Sequence, residues 1–265
     1  MSAFDKIIGY QAIKNDLMQI VDTLKNTEAY QRLGVKPSRG LLLYGEPGVG
    51  KTLMADAVIA ESGRQAFLCR KDSPNGDFVK KLKKTFTDAK AAAPSIVLLD
   101  DMDKFTNGDE RHRDAEEYVT VQACIDGIKK KDVFVIATAN NLHCLPDSLL
   151  REGRFDRRVK VGNPQGADAE AIVAYYLGQK KHLDDLDPRE IARMMNGRSC
   201  AALETLINEA GILAGSERAE AISMDHFMKA GLHIFYHAPT DALRELEQPS
   251  DLRRCFLLFC CLIWL

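Results

Sequence analysis

Five short runs of apolar and β-branched residues punctuate the first 160 positions, at 40–45, 65–69, 95–100, 132–138 and 157–162. All but the last are mainly apolar rather than apolar only at alternate positions, the pattern of strands buried on both faces. Between them lie longer stretches at helical period, 51–63, 76–93 and 116–130. This alternation predicts an α/β, three-layer αβα domain built on a parallel sheet. After "GNPQGAD" (162–168), whose glycines and proline mark a hinge, the pattern becomes wholly helical, at 167–181, 187–197, 200–219 and 223–235. The reading divides the chain into an α/β domain (1–163), a small all-helical domain (164–238) and a tail (239–265). No repeat or low-complexity linker interrupts it.

Composition narrows the partners. With 46% hydrophobic residues in 265, the chain can bury a substantial core, and its formal charge of −2 creates no global field for nucleic acid or anionic membrane. A nucleic-acid partner is therefore not expected. Seven cysteines (69, 124, 144, 200, 255, 260 and 261) are odd in number and lack CxxC spacing, which suggests neither a disulfide framework nor a zinc ribbon. The amino terminus mixes charged and apolar residues from the start, unlike a signal peptide. A cytoplasmic protein fits best.

The most informative motif is "GEPGVGKT", Gly45–Thr52, which fits GxxxxGK[ST] and lies between a predicted strand and a predicted helix. Glycines let the backbone wrap phosphates with its N–H groups turned inward, at a helix N-terminus whose dipole favours anions. Gly45, Pro47, Gly48, Val49, Gly50, Lys51, Thr52 and Leu53 are the expected ATP-binding residues. Lys51 would reach the β- and γ-phosphates, and Thr52 would ligate Mg²⁺. A second signal is "IVLLDDMD" (96–103), an apolar strand ending in three carboxylates within four residues. A Mg²⁺ site of this kind needs a carboxylate from a neighbouring strand end, so Asp100 is the expected Walker B metal ligand and Asp101 the base for the attacking water. Asp103 reads as a helix cap or a solvated charge.

With these motifs in place, the sequence resembles the AAA-type ATPases, most of all the ATPase module of the FtsH-type zinc proteases, from about Phe4 to Ala230. In "FDKIIGYQAIKNDL" the resemblance implies that Ile7 and Ile8 flank the adenine. "VFVIATANN" is similar to the sensor-1 strand, which implies Asn140 near the γ-phosphate and the water. "LPDSLLREGRFDRRV" resembles the second region of homology, implying that Arg154 and Arg157 are arginine fingers for the next subunit of a hexameric ring. "NGRSCAALETLINEAGILA" resembles the start of the lid helix, implying that Cys200 and Ala201 touch the nucleotide. The implied activity is ATP hydrolysis that remodels or unfolds protein substrates. The zinc-peptidase domain of the FtsH type is absent here, held on a separate chain or lost.

The chain also departs from that pattern. Asp101 stands where the family usually has glutamate, Tyr176 where it often has histidine, and Cys200 where the lid motif has glycine. The expected aromatic-hydrophobic-glycine pore loop is replaced by the shorter "CRKDSPNGDFVKKLKK", in which Phe78 and Val79 read as helix packing. These departures leave open a low-turnover ATP-binding assembly or interaction module. An initiator-like or clamp-loader-like protein acting on DNA is a third reading, without an appended DNA-binding domain to support it. His233 and His237 have zincin spacing, but Ile234 occupies the general-base position, so they read as helix-surface histidines. Lys80, Lys81, Lys83 and Lys84 read as the solvated face of a helix whose buried stripe is Phe78, Leu82 and Phe86. The run "CFLLFCCLIWL" (255–265) would span about half of a bilayer's ~30 Å core as a helix. It reads as a break in frame or chain after Arg254, or alternatively as a tail that docks on a partner or membrane surface.

Overall fold

The structure is a computed structural model that describes residues 2–35, 38–106, 115–151 and 153–236. His237 and the apolar tail 255–265 lie outside the described residues. The chain divides into two compact units, residues 1–162 and 163–265.

In the first unit five strands form one sheet: β1 (Gly40–Tyr44), β2 (Gln65–Cys69), β3 (Ser95–Leu99), β4 (Val133–Ala139) and β5 (Arg157–Lys160). Their order across the sheet is β2-β3-β4-β1-β5, and every neighbouring pair is parallel. β1, β3 and β4 are central and apolar nearly throughout because helices cover both faces. Side chains alternate between those faces. Leu42, Val97, Leu99, Val135 and Ala137 join one buried cluster with Phe78, Leu82, Phe86, Phe105, Tyr118 and Val121. That cluster includes residues of α4 (Asn75–Ala91) and α5 (Glu116–Gly127). Within α4, Phe78, Leu82 and Phe86 are buried while Lys80 and Lys84 are exposed, the amphipathic division expected of this helix.

Two further helices, α1 (Gln11–Lys25) and α3 (Lys51–Ser62), pack against each other, and α3 also packs on β1 and β4. In α1 the buried residues Leu17, Ile20, Val21 and Leu24 recur at i, i+3, i+4 and i+7. A short helix, α2 (Thr27–Arg32), follows. The amino-terminal turn is tied to α3, where Glu61 Oε1 accepts the Ser2 hydroxyl at 2.6 Å and the Ala3 N–H at 2.5 Å.

The second unit holds four helices among the described residues: α6 (Ala167–Leu177), α7 (Pro188–Met194), α8 (Cys200–Ser216) and α9 (Met224–Tyr236). α6 packs on α7 and α8, and α8 on α9. Asp187 caps α7 ahead of its N1 proline, and Ser199 caps α8. Ile172, Leu177, Ile191, Leu206, Ile207 and Phe227 are buried.

Candidate functional site

Strand register assembles the site. Tyr44 pairs with Ala139 and Leu99 with Ala137, so the residues just beyond the ends of β1 and β3 stand beside the end of β4. Because β2 and β3 lie on one side of β1 and β5 on the other, this is the carboxyl edge where an open parallel sheet binds ligands.

The loop after β1 depends on glycine for its shape. A Cβ at Gly45 would stand 1.9 Å from the Val161 carbonyl oxygen, and Gly45 has φ 151°. Gly50, at φ 94°, turns the chain into α3, whose first residue is Lys51. The lysine is buried, and its Nζ donates to the carbonyls of Gly45 and Glu46 and to Asn140 Oδ1, each at 2.8 Å. Burial lowers the pKa of its ammonium, and Asp103, Asp101 and Asp100 oppose that shift. Val49 is buried, whereas Leu53 is 44% exposed.

Asp100 is 1% exposed. Its Oδ1 accepts the Thr138 hydroxyl at 2.7 Å and the Thr52 hydroxyl at 3.1 Å, and Arg70 donates to its Oδ2. Burial would raise its pKa, but the bonds from Thr138, Arg70 and Thr52 outweigh burial and hold the carboxyl below the usual range. Asp101 follows with φ 55°, a left-handed conformation that aspartate adopts more readily than most residues. Its N–H donates to Thr138 Oγ1 at 2.8 Å, and its Oδ2 accepts Lys104 Nζ at 2.9 Å.

Asp103 differs from expectation. It is neither a cap nor solvated: it is buried, and its carboxylate accepts the Asn140 backbone N–H at 3.0 Å and side-chain amide at 3.3 Å. It thereby holds the residue that accepts Lys51. Thr138 and Asp103 were not singled out from the sequence as site residues. Thr138 left one signal, a hydroxyl within an otherwise apolar strand. Thr138→Val should remove both a donor to Asp100 and the acceptor for the Asp101 N–H, costing about 1–3 kcal/mol, measurable as a lower urea midpoint at unchanged slope.

The remaining expected residues are distributed as follows. Ile7 is buried and Ile8 half-buried, just after the amino-terminal turn. Arg154 lies before β5, its guanidinium against Asp126 (Nη2–Oδ2 2.8 Å, Nε–Oδ1 3.3 Å) and the Ser148 carbonyl. Arg154 and Lys129 together pull the Asp126 carboxyl down to about 2. Arg157 opens β5 opposite Leu41 and is exposed. In the second unit Cys200 and Ala201 open α8, and burial with the Glu204 carboxylate pushes the Tyr176 hydroxyl up to about 12. His233 Nδ1 lies 3.2 Å from Glu209 Oε1.

The donor set fits magnesium nucleotide. A threonine hydroxyl and a buried carboxylate oxygen lie 3.1 Å apart at the N-terminus of α3, beside a buried lysine. Among the described residues no group of three His, Cys, Asp or Glu could hold a metal by itself. The 265 residues contain no HExxH stretch. No helix of the described residues is long and apolar enough to cross a membrane.

Comparison with known proteins agrees with this geometry. Residues 41–163 match the family described as "ATPase family associated with various cellular activities (AAA)", and residues 185–229 match the "AAA+ lid domain". Among curated proteins, the chain is similar to the "ATP-dependent zinc metalloprotease FtsH" of Pelobacter propionicus, at 36% identity over 259 residues, covering 93% of this chain and 41% of the relative. The protein of the same name from Mycoplasma pneumoniae is 36% identical over 240 residues, covering 86% of this chain and 34% of the relative. That from Ureaplasma parvum is 32% identical over 235 residues. The chain thus spans about a third to two fifths of the length of these relatives. The parallel sheet with its phosphate-type loop, the helical unit that follows and these matches together place the chain in the AAA family of ATPases.

Proposed function

We propose that the chain binds ATP with Mg²⁺ at the Gly45–Leu53 loop and hydrolyses it, and that copies of the chain in a ring use the cycle to remodel a protein substrate in the cytoplasm. The observation that carries this reading is the convergence of Lys51 and Thr52 of α3 with Asp100 after β3 and Asn140 after β4 at the carboxyl edge of the sheet, through contacts of 2.8–3.1 Å. The loop amides and the N-terminus of α3 bind the phosphates, and Lys51 leaves its three oxygen partners for theirs. Thr52 and Asp100 would hold magnesium, which offsets phosphate charge as the γ-phosphoryl group transfers. Asp101 takes the proton of the attacking water after exchanging its bond to Lys104, and Asn140, steadied by Asp103, orients that water. Ile7 and Ile8 are proposed to flank the adenine; Cys200 and Ala201 are proposed to contact the nucleotide base and sugar. Steady-state phosphate release tests the reading: the expected result is Mg²⁺-dependent turnover that Asp101→Asn lowers by about 10²–10⁴.

A second reading, an ATP-binding module that assembles but turns over little, is favoured by the connection after β2. Only residues 70–74 separate β2 from α4, and Phe78 and Val79 lie buried within α4. No aromatic side chain is exposed there to grip a polypeptide. Stoichiometric ATP binding with phosphate release at the buffer rate would favour this module over the enzyme.

A further inference from the structure

Strand register carries one more charged side chain to the nucleotide edge. Cys69 pairs with Leu99, and Leu99 with Ala137, so the next residues, Arg70, Asp100 and Thr138, stand in a row across β2, β3 and β4. The Arg70 guanidinium donates to Asp100 Oδ2, while Oδ1 is taken by the hydroxyls of Thr138 and Thr52. Both oxygens of the buried carboxylate are therefore engaged before any metal arrives. Arg70 is followed by a tethered side chain: Lys71 Nζ donates to the Phe105 carbonyl and lies 3.6 Å from Glu117 Oε1 on α5. The Arg70 side chain itself is 55% exposed, so it can leave Asp100 for solvent without disturbing the core.

A guanidinium in this place has two opposed consequences. It neutralises Asp100, which would otherwise repel incoming phosphates when no metal is present. It also occupies the carboxylate that a divalent cation must reach. We propose that Arg70 competes with the divalent cation for Asp100, so that metal enters the nucleotide site only by displacing this side chain. The inference rests on the reading of the Gly45–Leu53 loop as a nucleotide site.

The test is binding rather than turnover. A fluorescent ADP analogue is titrated against the full chain in EDTA, then at fixed nucleotide with increasing MgCl₂ at constant ionic strength. Arg70→Ala is expected to lower the half-saturating Mg²⁺ by roughly threefold to tenfold, the range for a partly exposed charge-assisted bond, and to weaken metal-free nucleotide binding. Arg70→Lys should fall between, keeping the charge but not the planar fork. Lys84→Ala, which removes one charge from the exposed face of α4, should move the midpoint by less than twofold. An unchanged or higher midpoint in Arg70→Ala, or an equal shift in Lys84→Ala, overturns the role of Arg70 while leaving the nucleotide site standing. Failure of the unaltered chain to bind the analogue in either condition overturns the nucleotide reading itself.

Discussion

Lys51→Ala is expected to weaken ATP binding by about 2–5 kcal/mol, roughly thirtyfold to several thousandfold, while the chain remains folded. The ammonium is buried and already directed at three oxygens, two on the loop and one on Asn140, so phosphate oxygens can replace them at little reorganisation cost. Asn140 keeps its bonds to Asp103 without the lysine, and the loop backbone is shaped by its glycines, so the site should survive the truncation. Asp101→Asn makes the contrast. It should bind ATP within a few-fold of the unaltered chain, because its bond to Lys104 is at the rim and Asp100, the proposed metal ligand, is unaltered. Calorimetric titration alongside a circular-dichroism melt separates binding from folding. Equal loss of binding in both variants would sink the division of labour between the loop lysine and the carboxylates.

The parts of this site that were legible in the sequence are those that depend on neighbours along the chain. An unbroken apolar run predicts a strand buried on both faces, and a glycine loop between such a strand and a helix predicts an anion cradle. Asp100 could be picked out because it ends the run on which it stands. The residues that were missed have their partners far along the chain. Asp103 meets Asn140, 37 positions on, because β3 and β4 pair with Leu99 opposite Ala137; no local feature distinguishes it from a solvated carboxylate. Thr138 and Arg70 reach Asp100 through the same register, 38 and 30 positions away. Their roles are set by the register between strands, since a slip by one would turn each side chain to the other face. The apolar stripe of α1, by contrast, follows helical period and could be read locally.

On the proposal that its guanidinium serves a neighbouring copy, Arg157→Ala is expected to bind ATP within about twofold of the unaltered chain and to lose about 10³-fold or more of its hydrolysis. Geometry within one chain favours this assignment. Arg157 pairs with Leu41, four residues before Gly45, so its backbone lies ~13 Å along the strand direction from its own phosphate loop. Being exposed, Arg157 should also cost little stability when truncated. Arg154 is a less direct probe: its loss strips Asp126 of a bidentate partner, and the native arginine must break that pair before it can reach another subunit. If the fingers act in trans, hydrolysis per chain rises with protein concentration as a ring assembles. Mixing supplies the sharper test. Arg157→Ala chains carry an intact phosphate loop, and Lys51→Ala chains carry an intact finger, so a mixed ring contains some junctions with both. Activity should then return in the mixture although neither variant has it alone. Turnover that is independent of concentration, with no recovery on mixing, would show that each chain acts by itself and would shift the balance to the assembly module.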